Sequence, residues 1–297
     1  MNTAIKETNI VPHCNDTEEL KRNKGFTLIE LSIVLVIIGL IVGGILVGQD
    51  LIKAARIRAT IAQIEKYNTA VNTFQTKFNG IPGDLVASTA TGFGLYGGAG
   101  TTGRGDGNGL IDGIVAGVSA QYGWTQEGGM FWVHLSQANL LDASFSGGWD
   151  GASPVAITTA ASVSATFPLA KIGLGNYVVV GSAGGLNYWM ITGVDSAAAT
   201  GALVEDNNLT PIDAYNMDIK LDDGSPLTGI VQTHGGSGTA SASSTTLFTD
   251  APPAGTTAST SVCVVGDTAG TATTDTYNRN INLGGTTQTC NLRFRFN

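Results

Sequence analysis

Residues 26–47 read FTLIELSIVLVIIGLIVGGILV, an apolar stretch carrying a single charge, Glu30. About 20 apolar residues rising about 1.5 Å each cross about 30 Å of hydrocarbon, so the stretch predicts a membrane-spanning helix. A carboxylate among such neighbours is expensive, and a residue that costly is expected to have a task. Gly39, Gly43, Gly44 and Gly48 include small residues four apart, a spacing that lets helices approach closely. Beyond Asp50 the pattern changes with no helix breaker. Ile57, Ile61, Ile64, Val71, Phe74 and Phe78 recur at three- and four-residue steps or their sum, with Lys53, Arg56, Arg58, Gln63, Glu65 and Lys66 on the wet side. One continuous helix is therefore expected, spanning over 26–48 and amphipathic over 49–80. The turn residues Asn79-Gly80-Ile81-Pro82-Gly83-Asp84 stop it.

The rest of the chain alternates more than it repeats. Phe131, Leu135 and Ala138 place a short helix within 130–141, with His134 as a surface or hydrogen-bonded structural residue. Residues 176–182 and 186–192, NYVVVGS and LNYWMIT, predict two strands joined by a glycine turn. Pro211 to Met217 predicts a short helix, followed by Asp218, Asp222 and Asp223 in what reads as a solvated turn. Residues 290–296 alternate, which puts Leu292, Phe294 and Phe296 toward a core and Arg293 and Arg295 toward water. Residues 235–260, rich in Gly, Ser, Thr and Ala, predict an exposed loop.

Composition supports a turn-rich, mainly β part, with 41 glycines in 297 residues. A formal charge of −8 argues against nucleic acid as a primary partner. Asp106, Asn108 and Asp112 resemble part of a calcium loop, but the rest of an EF-hand and its closing glutamate are missing, so a surface turn is preferred to a structural calcium site. Paired carboxylates can serve acid/base chemistry, yet no nucleophile constellation, P-loop or metal quartet accompanies them. Enzyme is the weakest class.

Lys21-Arg22-Asn23-Lys24 ends in Gly25 just before the apolar run, and Glu30 is the fifth residue after that glycine. This arrangement resembles the processing site of type IV prepilins and of the pseudopilins of type II secretion. The resemblance implies that a membrane-embedded prepilin peptidase cuts between Gly25 and Phe26, removes residues 1–25 as a leader and methylates the new amine of Phe26. A secretory signal peptide is cut after its apolar region, whereas here the apolar helix is retained. The resemblance further gives Glu30 the task of meeting the Phe26 amine of a neighbouring subunit and so setting assembly register. Charge alone leaves orientation balanced, with Lys21, Arg22 and Lys24 before the span and Lys53, Arg56 and Arg58 after it. The family reading places the leader inside and the head in the periplasm, as a single-pass inner-membrane protein that later enters a filament.

With Cys14 lost in the leader, Cys263 and Cys290 remain where disulfides persist, and a bridge between them is expected. No CxxC or paired His supports zinc. IPGD, FWVHLSQANLL, PLAKIGLGNY and IDAYNMDIKLDDGSPLTG extend the resemblance along the chain. The implied fold is α+β and pilin-like, a long N-terminal helix on a mainly antiparallel sheet, with residues 81–297 as the head. The implied function is a structural subunit of a type IV pilus, with a type II secretion pseudopilin or a tip-displayed minor pilin or adhesin as alternatives. Its partners would be the peptidase/methyltransferase, other pilin subunits and the assembly platform, with no cofactor unless calcium.

Overall fold

A computed structural model describes residues 25–96, 105–111, 127–146, 159–197, 203–206, 208–234, 263–265, 276–279 and 290–296. The expected leader up to residue 24, Asp112, and the loop expected at 235–260 lie outside them. The chain divides into two compact units, one ending at Asp50 and the other running Leu51–Asn297. Helix α1, Leu28–Phe78, is 51 residues long and contributes to both. It ends where Asn79 takes a left-handed conformation (φ 53°), an Asn cap of the kind that closes helices before a turn, and the short helix α2, Ala87–Gly92, follows.

In the first unit, every large apolar side chain of α1 is at least half exposed. A helix apolar on all sides needs lipid or other helices around it. In the second unit, α1 buries Ile57, Thr60, Ile64, Tyr67, Ala70, Val71, Phe74 and Phe78, the stripe that the spacing predicts with Thr60, Tyr67 and Ala70 added and Ile61 partly covered.

The sheet is antiparallel throughout. Strands β1 (Asn176–Ala183), β2 (Leu186–Ala197), β3 (Leu203–Asp206), β4 (Val231–His234) and β7 (Asn291–Phe296) order as β1-β2-β7-β4, with β3 also pairing β2. The β1–β2 hairpin turns at Gly184-Gly185, both at positive φ, in register from Asn176↔Gly193 to Ala183↔Leu186. β2 therefore runs beyond the expected Thr192, through a register shift at Val194/Ser196 to Ala197. Two short strands, β5 (Val264–Val265) and β6 (Thr276–Tyr277), pair separately.

Trp189 of β2 joins sheet to helices. Its ring packs against Tyr67 at 5.6 Å, Phe131 at 5.3 Å, Trp132 at 5.7 Å and Phe296 at 4.5 Å. Its Nε1–H donates to Asn68 Oδ1 on α1 at 2.7 Å, so the indole satisfies its one donor while buried. Phe131 and Trp132 come from α3, Glu127–Gln137, which starts three residues before the expected helix and is buried from Glu127 to Leu135.

Two expectations from local pattern are corrected. Leu292, Phe294 and Phe296 are buried as alternation predicts, but Arg293 is buried too. β7 is flanked by β2 and β4, so Gln232 Oε1 accepts from Arg293 Nε at 3.0 Å and from Nη2 at 2.7 Å, and the guanidinium lies 4.8 Å from the Tyr188 ring centre. Only Arg295 faces water. The helix expected to end at Met217 continues as α5, Pro211–Leu221, capped by Thr210 with Pro at its start. Asp218 is thus a fully buried helical residue instead of part of a solvated turn.

Cys263 and Cys290 form a disulfide across 27 residues. Closing such a loop stabilises by about 3–4 kcal/mol in the chain-entropy account. Cys290 also exchanges backbone hydrogen bonds with Leu209 (2.9 and 3.2 Å), while the Cys263 carbonyl accepts from Asn278 at 2.8 Å, so the bridge ties the β5–β6 pair to the start of β7.

Candidate functional site

Gly25, Phe26 and Thr27 precede α1 and are exposed, Phe26 at 89%. Thr27 begins the helix with a capping box. Its hydroxyl accepts from Glu30 N at 3.3 Å, while Thr27 N and Oγ1 donate to Glu30 Oε2 at 2.8 and 2.9 Å. Helical side chains lean toward the N-terminus, which is why Glu30 reaches the end of the helix and not a neighbouring turn. Its carboxylate lies at the amide of Thr27, one residue from the nitrogen that a cut after Gly25 would turn into an amine. Gly39, Gly43, Gly44 and Gly48 have nothing within 4 Å of where a Cβ would stand, so no contact among the described residues accounts for them. The helix is long and apolar enough to cross a membrane.

Residues 20–46 match the family of the prokaryotic N-terminal methylation motif. The chain carries a type IV prepilin-like N-terminus. No curated protein and no solved structure matches the chain. The prepilin-like signature contains Gly25, Phe26 and Glu30, and the antiparallel sheet packed with a long helix is the pilin-like α+β architecture. The apolar helix and the motif together fit membrane anchoring before assembly.

The second unit holds two acidic clusters. In the first, Asp84, Asp106 and Glu127 each bring an oxygen within 4.8 Å of the others. Asp84 Oδ1 accepts from Gly107 N and Oδ2 from Gly109 N, both at 2.8 Å. The far end of the same loop is held by Asn187 of β2, which accepts from Ile111 N and donates to the Gly109 carbonyl, both at 2.9 Å. A Cβ on Gly105 would collide with the backbone of Asp84, which explains the glycine there. Of the residues proposed from sequence as calcium ligands, Asp106 joins this cluster. Asn108 turns back, donating from N and Nδ2 to Asp106 at 2.9 and 3.1 Å, and Asp112 lies outside the described residues. Both oxygens of Asp84 already receive loop amides, and Asp106 N donates to Glu127 Oε1 at 3.3 Å. The geometry is that of a carboxylate clamp on a glycine loop.

In the second cluster, Asp218, Asp222 and Asp223 also lie within 4.8 Å. Asp218 accepts from Tyr277 Oη at 2.7 Å and Gly224 N at 3.1 Å, linking α5 to β6. Asp222 accepts from the amides of Ile230 and Val231, and Asp223 from Thr228 Oγ1 at 2.6 Å. His134 is buried and structural: Nδ1 accepts from Gly83 N at 2.9 Å and Nε2 donates to the Tyr96 carbonyl at 2.7 Å. Burial holds its pKa below the usual imidazole value, so it stays neutral.

Burial, reinforced by neighbouring carboxylates, raises both Asp84 and Asp218 from 3.8 to about 6. The folded chain then keeps a proton that the unfolded chain releases. This stabilisation is complete below the unfolded value and is lost as pH rises through about 6. His134, with its lowered value, works in the opposite sense, so the two aspartates are read by comparison with a variant. Asp218→Asn can still bond Tyr277 and Gly224. Measured with chelator present, because a bound cation would favour the charged form, its urea midpoint relative to the parent should be lower at about pH 5 than at about pH 7.5. A difference between variant and parent that is the same at both pH values would contradict this.

Sequence reading passed over Thr27, Asp84 and Glu127. Thr27 was visible as the T-x-x-E signature of a capping box. Asp84 and Glu127 meet Asp106 only through the fold, across 22 and 21 residues of chain.

Proposed function

We propose that this chain is the precursor of a structural subunit of a type IV pilus or a related filament. It is cut after Gly25 by a prepilin peptidase, methylated on Phe26, held in the inner membrane by residues 26–48 with its head in the periplasm, and drawn into a filament through that helix. The observation that carries the reading is the methylation motif at the start of a helix whose apolar side chains are exposed on every side. Helices of this kind bury their surface against one another when they bundle, and the uncontacted glycines provide places for close approach.

Glu30 has two partners in this scheme. Before assembly it caps its own helix through Thr27. During assembly it meets the Phe26 amine of an adjacent subunit, and in a filament core of low dielectric that pairing selects one axial register over others. The function is assembly and not catalysis.

Processing is tested at Gly25. The peptidase must approach the backbone closely at the cut, which a side chain obstructs. Gly25→Leu should leave the precursor uncut in its native host, seen as a slower-migrating band in the membrane fraction, while Gly25→Ala is cut in part. Normal maturation of Gly25→Leu would remove the processing assignment.

A further inference from the structure

We propose that the turn at residues 171–175, together with Lys53 and Arg56 of α1, forms a docking surface for an anionic phospholipid bilayer. The inference rests on the membrane-anchored reading above and extends it to the head.

The turn is built and held. Gln63 of α1 donates from Nε2 to the Leu169 carbonyl and accepts at Oε1 from Lys171 N, both at 2.8 Å, so its amide pairs with the backbone as a neighbouring strand would. Ala170 and Ile172 are buried beneath, and Gly173 N donates to the Ala170 carbonyl at 3.0 Å. On this fixed base stand two exposed leucines, Leu169 at 54% and Leu174 at 47%. Leu174 sits between two glycines at φ 60°, a left-handed conformation that glycine adopts freely and leucine does not. An exposed, apolar, conformationally disfavoured side chain at a rigid tip adds nothing to folding, and such outliers concentrate at functional positions.

Three cations stand beside it. Arg56 Nη1 lies 4.0 Å from where a Cβ on Gly173 would stand, Lys53 is one helical turn away on α1, and Lys171 is exposed on the turn itself. Among the described residues neither Arg56 nor Lys171 has a carboxylate partner, and Lys53 has only the buried Asp213, at 3.5 Å. In a chain of formal charge −8 this is a local reversal. Apolar tips flanked by Arg56 and Lys171, which have no carboxylate partner among the described residues, suit the boundary between phosphates and acyl chains, where leucine enters and lysine and arginine stay at the headgroups. The choice of a bilayer over a protein partner follows from continuity in sequence, since Lys53 and Arg56 come six and nine residues after the apolar run ending at Val47.

The test is hydrogen exchange by mass spectrometry on the full chain in nanodiscs of phosphatidylcholine alone or with about a third phosphatidylglycerol. Peptides covering 170–176 should exchange about fivefold more slowly in the anionic discs, with the β1–β2 turn at Gly184-Gly185 unchanged. Arg56→Gln with Lys171→Gln should abolish the difference. Leu174→Gly, which relieves the left-handed conformation, should keep or raise the melting temperature and still lose the lipid-dependent protection. A purely structural role for Leu174 would leave that protection intact. If residues 28–47 are protected but 170–176 ignore lipid charge, the docking surface is wrong and the anchoring reading stands. Protection that tracks the protein-to-lipid ratio in neutral discs would assign the surface to contacts between subunits and overturn the proposal. If residues 28–47 exchange as freely as solvent-exposed chain, both readings fall.

Discussion

Glu30→Leu should yield a subunit that is inserted and cleaved but recovered in no filaments. Removing a charge from an apolar segment helps insertion, and the head lies beyond the affected turn. What is lost is the carboxylate that caps Thr27 and, in the proposed assembly, meets the next subunit's amine. These two tasks separate with Glu30→Gln. Glutamine at the third helical position still completes a capping box but carries no charge. If register depends on the ion pair, Glu30→Gln loses filaments as completely as Glu30→Leu. If capping is what matters, Glu30→Gln assembles and only Glu30→Leu fails. Abundant filaments from both variants, with membrane-localised and cleaved protein confirmed, would refute the register mechanism.

Trp189→Ala should cost the head about 4 kcal/mol, in the range for deleting a large buried aromatic side chain. Trp189 is fully buried and touches rings from α1, α3 and β7 at once, so no single element can move in to fill the space. The melting temperature of the full chain in detergent should fall by roughly 10 °C or more for a head of this size. Trp189→Phe keeps most of the ring contact but leaves Asn68 Oδ1 without its donor, and should cost about 1–2 kcal/mol. A loss under about 1 kcal/mol for Trp189→Ala would mean the aromatic cluster does not join helix to sheet as described.

Much of this architecture is legible because its signals are local. Ile57, Ile64, Val71, Phe74 and Phe78 repeat with the helical period, NYVVVGS and LNYWMIT bracket two glycines, and Leu292, Phe294 and Phe296 alternate. Each of those patterns is set by neighbours a few residues away. Arg293 was misplaced because its burial depends on β4, whose Gln232 lies 61 residues distant and pairs only after the sheet forms. Asp218 was misplaced because a run of aspartates looks solvated until Tyr277 closes over it from 59 residues away. Asp106 stood out in the glycine loop, but its partner Asp84 belongs to the turn ending α1, where IPGD reads simply as a helix stop. The short helix α4, Ala160–Thr166, went unseen since AASVSAT has no apolar period, and only the Thr159/Ser162 capping box announces it. At the N-terminus, by contrast, the relevant residues are contiguous, and Gly25, Phe26 and Glu30 were read without any fold.

We infer that the chain matures at Gly25 and keeps its apolar helix. Intact-mass and N-terminal peptide mass spectrometry of the protein from its native host tests it most directly. The native chain should begin at Phe26, heavier by one methyl group, with residues 28–47 retained. A native chain that begins at Met1, or one cut after the apolar run, would contradict it.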